Sequence, residues 1–142
     1  MRELKFRIWV KDEERYYDET DEESYQIIPN GQVTYTSEAY EEDGAFYTDT
    51  TNATDNVVVE QYTGLKDRYG EPIYEGDIIK YAWTRCNYIV AYRKYDASFV
   101  LENDDREEII CFQYNRQNDY EVIGTIHENP ELLEEVGDER QG

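Results

Sequence analysis

Asp67, Glu75 and Asp77 form the local group of carboxylates best placed to do chemistry. Mg²⁺ is often held by only a few carboxylates, so a magnesium site is one interpretation of this group. The other is turn capping, because a carboxylate next to a glycine-containing turn commonly bonds the backbone ahead of it. We favour turn capping, and we predict no bound metal or cofactor.

The other reactive residue types lie in no catalytic pattern. His127 is the only histidine, and Glu128 beside it would point to the opposite face of a strand. Cys86 and Cys111 lack metal-binding spacing and lie in apolar runs, which predicts buried, reduced thiols. The serines lie in no nucleophile elbow. We therefore expect no catalytic residue and no enzyme activity.

The stretch from Gln61 to Lys80 contains three glycines that divide it into turns and short extended pieces. We expect Gly64 to take a positive φ, which glycine adopts at little cost. Leu65 is the apolar side chain of a polar bend, so it is a candidate anchor into the core. The run from Asp67 to Gly70 predicts a turn. The residues to which we assign a structural or interaction role here are Gly64, Leu65, Asp67, Gly70, Gly76 and Asp77.

Short β-prone runs separated by polar turns follow this stretch. They cover residues 78–83, 88–95, 98–102, 108–114 and 120–126. Regularly spaced short strands predict a small barrel or sandwich, and their order is similar to that of SH3-like barrels.

The N-terminal part shows weaker signals. Alternation of Leu4, Phe6 and Ile8 predicts a half-buried strand, and Asn30-Gly31 between two β-prone runs predicts a hairpin. Residues 37–56 are acidic and rich in Thr, Asp and Asn. We expect them to be the least ordered internal region, a flexible loop or irregular edge in which residues 45–47 act as a local anchor.

The C-terminal part predicts a short helix at about residues 130–136. Asn129 stands at the N-cap, Pro130 at the first helical position and Gly137 after the last. A helix of about two turns is marginal alone. We therefore expect Leu132, Leu133 and Val136 to dock on the barrel or on a neighbouring subunit.

These elements predict a mainly β fold with two small β subdomains. Residues 1–60 would be an N-terminal β region with acidic flexible loops. Residues 61–142 would contain the glycine-rich stretch, the SH3-like barrel and the short C-terminal helix. A chain of 142 residues could also be one compact domain.

The net charge of −20 excludes some partners. Nucleic-acid binding proteins need a basic face to displace counterions from phosphate, so we expect no direct nucleic-acid binding. Anionic membranes are disfavoured for the same reason. The N-terminus has no apolar signal segment, which predicts a cytoplasmic protein. The 15 tyrosines oppose general disorder, since they cover much apolar area.

Three blocks of the sequence resemble one known family. QYTGLKDRYGEPIYEGDIIKY, residues 61–81, is similar to the hallmark segment of the YopX family, which is found largely in bacteriophages and prophages of low-GC Gram-positive bacteria. Residues 1–9 are similar to the opening of that family, and residues 123–133 to its close. The resemblance implies a mainly β phage protein of the host bacterial cytoplasm, with no catalytic motif to carry over.

Three classes of function remain open. The first is an oligomeric protein-binding module: short strands with open edges, many aromatics and a short helix favour self-association into at least a dimer, and a host or phage protein would be a further partner. The second is an acidic nucleic-acid mimic that occupies a host DNA-binding protein. The third is an enzyme, which no specific feature favours.

Overall fold

The structure, a computed structural model, describes residues 3–84, 86–103, 109–112 and 114–133, apart from the side chains of Ile109 and Tyr114. The chain divides into two compact units. The N-terminal unit is Arg7–Glu60, and the C-terminal unit is Met1–Phe6 together with Gln61–Gly142.

The N-terminal unit is built from short antiparallel strands. They are β1 (Phe6–Val10), β2 (Arg15–Tyr16), β3 (Ser24–Ile27), β4 (Val33–Thr36), β5 (Tyr40–Glu42), β6 (Ala45–Tyr47), β7 (Thr50–Asn52) and β8 (Val57–Lys66), of which β1 and β8 continue across the unit boundary. β1 lies between β2 and β8, and β4 lies between β3 and β7. The hairpin predicted at Asn30-Gly31 is confirmed, because β3 and β4 pair with Ile27 opposite Val33.

The core of the N-terminal unit consists of apolar residues from β1, β3, β4 and β8. Its buried members are Ile8, Val10, Tyr25, Val33 and Val57. The predicted strand near the N-terminus is present, but its predicted buried face is wrong. Leu4 and Phe6 are 58% and 47% exposed, whereas Ile8, Trp9 and Val10 are buried in succession. The last residues of β1 are therefore covered on both faces.

Residues 37–56 contain more regular structure than we predicted. β5 and β6 form a two-stranded hairpin, and β7 joins the edge of β4. The predicted anchor at residues 45–47 is wrong, since Phe46 is 75% exposed.

The C-terminal unit contains the predicted series of short strands. They are β9 (Pro72–Tyr74), β10 (Asp77–Tyr81), β11 (Asn87–Arg93), β12 (Ser98–Glu102), β13 (Ile109–Cys111) and β14 (Tyr120–Thr125). The last five form an antiparallel sheet in the order β13-β12-β11-β10-β14. The mainly β fold is thus confirmed, whereas the SH3-like arrangement of this sheet stays a prediction.

The core of this unit is rich in tyrosine. Its buried members are Ile73, Ile79, Tyr81, Tyr88, Val90, Leu101 and Tyr120. Of the two thiols, Cys86 is half-buried and Cys111 is exposed, so the prediction of burial is wrong for Cys111. In the part of the chain that the structure describes, no helix has the length and apolar character needed to cross a membrane.

The described part of the chain ends in the predicted C-terminal helix. Its first turn, α1, covers residues 131–133, and Val136 lies outside the described residues. Asn129 accepts a hydrogen bond at Oδ1 from the N–H of Thr125 at 3.3 Å. Its side chain therefore faces back toward β14 instead of capping the helix.

Candidate functional site

Residues 61–80 are an ordered corner in the C-terminal unit, formed by the end of β8 and by β9 and β10. Gly64 has φ +90°, so its predicted positive φ is confirmed. At this point the pairing of β8 with β9 shifts register between Tyr62 and Lys66. Gly70 also has a positive φ, and its N–H donates to the carbonyl of Asp67 at 3.0 Å. The predicted turn from Asp67 to Gly70 is therefore present.

Asp67 is buried and holds this turn from inside. Its Oδ1 accepts the N–H groups of Tyr69 and Glu71 at 2.8 and 2.9 Å. Its Oδ2 accepts the N–H of Val122 in β14 at 3.0 Å. The carbonyl of Tyr120 accepts the N–H of Arg68 at 2.9 Å. One side chain thus closes a local turn and connects that turn to a distant strand.

The other two carboxylates of the predicted group also bind backbone. Oδ2 of Asp77, which is 1% exposed, accepts the N–H of Tyr74 at 2.8 Å, and Oε1 of Glu75 accepts the N–H of Gln61 at 2.9 Å. Gly76 donates its N–H to Val90 and accepts the N–H of Ile126, both at 2.9 Å. Among the described residues, no group of three or more potential ligands could hold a metal ion. Asp67 and Asp77 thus accept N–H groups of their own turns, whereas Glu75 accepts the N–H of a residue 14 positions away.

The apolar side chains that we predicted to make contacts lie in different parts of the C-terminal unit. Leu65 is half-buried and packs against the tyrosine-rich core, as an anchor should. Leu132 and Leu133 are also half-buried. The carbonyl of Leu132 accepts a hydrogen bond from Nδ2 of Asn87 in β11 at 2.9 Å. The helix is therefore tied to its own chain.

A buried ionic group in the N-terminal unit was missed by sequence reasoning. Glu60 is 3% exposed, and its Oε1 accepts hydrogen bonds from Nε of Arg7 and the hydroxyl of Tyr16, both at 2.8 Å. The guanidinium of Arg7 also lies 4.7 Å from the ring centroid of Tyr16. The alternation in β1 placed Arg7 on the face opposite Ile8. Nothing in the sequence indicated that Glu60 would cover that face.

The hairpin of β5 and β6 lies in an exposed stretch of the N-terminal unit. Every residue from Glu38 to Asn52 is exposed. Tyr40 pairs with Tyr47, and their ring centroids lie 6.0 Å apart. Asp43 and Gly44 both have positive φ, as a tight two-residue hairpin turn requires. This hairpin presents three aromatic side chains, those of Tyr40, Phe46 and Tyr47, without contact to a core.

The hairpin is also acidic. Its exposed stretch contains five carboxylates and no basic residue. A hydrogen bond with Glu22 and the negative charge of Glu22 raise the pKa of the Glu38 carboxyl group. The N-terminal unit as a whole contains 15 acids against three bases. A negative potential therefore surrounds the exposed aromatics.

Comparison with known proteins gives matches over most of the chain. The family model described as YopX protein matches residues 5–134. The crystal structure of protein EF1440 from Enterococcus faecalis is 26% identical with a TM-score of 0.60, and the match covers 94% of this chain and 99% of that one. Protein yopX from Bacillus subtilis has a similar fold, with a TM-score of 0.53, 21% identity and the same coverage. No curated protein matches the sequence. The family match over nearly the full length shows that the chain belongs to the YopX protein family.

Proposed function

We propose that this protein is a non-catalytic phage or prophage accessory protein that acts in the host bacterial cytoplasm as an oligomeric protein-binding module. The observation that carries the proposal is the exposed aromatic hairpin of β5 and β6. A two-stranded hairpin is marginally stable at best in water without packing against another element. Phe46 at 75% exposure is poorly placed in a monomer and well suited to an interface, where aromatic residues are enriched.

Self-association would cover this hairpin. Both of its outer edges are open among the described residues, because β5 and β6 pair only with each other. Unpaired strand edges readily pair with another chain. A second copy would supply both an edge and aromatic faces, and the short two-stranded sheet would become part of a larger one. The phage and cytoplasmic parts of the proposal rest on the family, and a host or phage protein would be the further partner.

Charge opposes this association. Two copies of the exposed stretch 38–52 bring ten carboxylates together, and their repulsion is screened beyond about 8–10 Å at physiological salt. Apolar burial contributes about 25 cal/mol per Å² before its costs. We therefore expect at least a dimer, more populated at higher salt.

Light scattering coupled to size exclusion tests the proposal at micromolar concentration and moderate salt. The 17.0 kDa chain should elute with at least twice that mass. Phe46→Ser combined with Tyr47→Ser should shift the protein toward the monomer. Tyr95→Ser is the matched control, because Tyr95 is 83% exposed and lies in the other unit. A monomer for the unmodified chain would refute self-association.

A nucleic-acid mimic is the second candidate, and the excess of 15 acids over three bases in the N-terminal unit favours it. A mimic would release duplex DNA from a basic bacterial DNA-binding protein, with a steep loss of effect as salt rises. The Phe46→Ser, Tyr47→Ser variant would still release the DNA, because it retains all acidic residues. If the protein is a protein-binding module instead, it should release no DNA from the DNA-binding protein at physiological salt.

A further inference from the structure

The N-terminal unit contains a cavity of about 320 Å³ beside the buried ring of Tyr25. Residues that line it include Asp12, Glu13, Tyr25, Tyr35, Asn52 and Asn56. We propose that this cavity binds a compact organic cation, the guanidinium or ammonium group of an arginine-like or lysine-like ligand. Ligand cavities span about 300–1,000 Å³, so this one is suited to a single side-chain-sized group.

The aromatic wall of the cavity is rigid. Tyr25 is 8% exposed and belongs to the core of the unit. Its ring centroid lies 5.1 Å from that of Tyr35 and 5.3 Å from that of Tyr17. A cation over the face of a tyrosine is attracted by the ring quadrupole, and the attraction grows when water is excluded. The ring of Tyr25 is therefore held in place at the wall of the cavity.

Tyr25 also contributes a hydroxyl group to this region of the unit. A buried tyrosine hydroxyl usually finds a hydrogen-bond partner. Tyr35 follows this rule and donates to Oε2 of Glu23 at 2.7 Å. Among the described residues, the hydroxyl of Tyr25 has no hydrogen-bond partner, and it is not a buried atom, so solvent reaches it at the wall of the cavity. A ligand N–H could replace the water there by donating to the hydroxyl oxygen.

Asn56 holds the carboxylate of Asp12 in place at the cavity. Nδ2 of Asn56 donates to Oδ1 of Asp12 at 3.0 Å, and the N–H of Asp12 donates back to Oδ1 of Asn56 at 3.3 Å. This reciprocal pair fixes the carboxylate before a ligand arrives, which lowers the ordering cost of binding. In the described residues, Oδ2 of Asp12 has no hydrogen bond, so it remains available to a donor.

The charges around the cavity are negative in sum. Arg15 contacts Glu13, Asp21 and Glu23 at 2.9, 2.8 and 3.2 Å, so one guanidinium faces three carboxylates. Lys11, the other nearby base, is exposed and donates to the carbonyl of Asp55 at 3.1 Å. Burial and the negative charges of Glu13, Glu23 and Asp12 together raise the pKa of Tyr25 to about 12. An anion would be repelled here, and a neutral ligand could form hydrogen bonds with the carboxylates but would gain no attraction between opposite charges.

NMR titration of the ¹⁵N-labelled full chain tests the proposal with ethylguanidinium, and its uncharged isostere ethylurea is the control ligand. We expect saturable shifts of the amide signals of Asp12, Asn52 and Asn56, with dissociation constants of about 1 mM for so small a group. Ethylurea should bind at least about tenfold more weakly, a difference of roughly 1.4 kcal/mol. Equal binding of the two ligands, or no saturable shift, would overturn the proposal.

Variants give a second test. Asp12→Asn with Glu13→Gln should weaken ethylguanidinium binding by about tenfold or more. The charge-matched control is Glu71→Gln with Glu121→Gln, two changes in the other unit that should leave binding unchanged. Equal effects of the two double variants would count against the site. If the first does not fold, the comparison of ligands on the unmodified chain still decides.

Two further ligands distinguish between the possible sources of the cation. A Gly-Arg-Gly tripeptide that binds more tightly than ethylguanidinium would identify an arginine of a protein partner. Tighter binding of spermidine would identify a free polyamine. This inference does not depend on the proposed self-association, because Phe46 and Tyr47 do not line the cavity. The hairpin variant should therefore bind ethylguanidinium normally.

Discussion

The carboxylate of Asp67 accepts the backbone N–H of Val122 at 3.0 Å, across 55 residues of sequence. The same carboxylate accepts two N–H groups of its own turn. A single buried side chain thereby connects the most recognisable segment of the sequence to the last strand of the sheet. This arrangement explains why the segment needs an acid at that position without any ligand.

Asp67→Ala should lower the free energy of unfolding by about 2–4 kcal/mol, because it leaves three partly buried backbone N–H groups without their acceptor. Urea denaturation followed by circular dichroism measures this loss. Glu71→Gln is the control, since Glu71 is exposed and only its backbone takes part in the turn. A loss below about 0.5 kcal/mol for Asp67→Ala would show that water replaces the carboxylate.

Gly64→Ala should cost about 1 kcal/mol or more, and the cost should come from the backbone alone. Gly64 has φ +90°, and a Cβ added there would meet nothing within 4 Å. Asparagine tolerates left-handed backbone better than alanine does, so Gly64→Asn should cost less. Equal stability of the alanine variant and the unmodified protein in denaturant melts would contradict the argument from φ.

Gly124→Ala should act by crowding instead. A Cβ at this position would lie 2.6 Å from Oδ1 of Asn129, which accepts the N–H of Thr125. We expect a loss of about 1–3 kcal/mol, as for other overpacked sites. Asn129→Gly removes the clashing atoms, so the two changes together should cost less than the sum of the single costs. Simple additivity in that double-mutant cycle would exclude this contact as the cause.

Tyr25 should make stability depend on pH in the alkaline range. Burial raises its pKa to about 12 in the folded protein, against a usual value near 10. The folded state therefore retains the phenolic proton at a pH where the unfolded state loses it. This contribution to stability is complete below about pH 10 and is lost as the pH rises toward 12. Urea melts from pH 9 to 12 should show this fall.

Tyr25→Phe removes that titrating group, so its stability should fall less steeply over the same pH interval. Tyr92→Phe is the comparison, because Tyr92 is 48% exposed. Parallel pH profiles for the Tyr25→Phe variant and the unmodified chain would show that other groups cause the alkaline loss.

Direct binding to DNA or RNA should be absent at ordinary salt. The net charge is −20, and the N-terminal unit contains only three basic residues. Gel-shift assays with duplex DNA and with single-stranded RNA at micromolar protein measure this. Tight, salt-sensitive retention of either nucleic acid would contradict the argument from charge.

The sequence by itself determined the features that depend on neighbouring residues. The strands from Asp77 to Thr125 begin and end close to their predicted bounds, because β-prone runs and polar turns alternate along that part of the chain. The positive φ of Gly64 and the hairpin at Gly31 are local in the same way. The family was also recognisable from three short blocks of sequence.

Only the tertiary structure decided which residues meet and which face water. Residues 40–52 have little hydrophobic pattern, so their strands depend on pairing between segments, and nothing local indicated that Phe46 would be exposed. The contact of Asp67 with Val122 and the burial of Glu60 against Arg7 both join residues more than 50 positions apart. The cavity beside Tyr25 likewise combines residues from four separate segments. Such contacts form only when distant segments come together in the folded chain. The spacing of residue types along the sequence does not indicate which segments will meet.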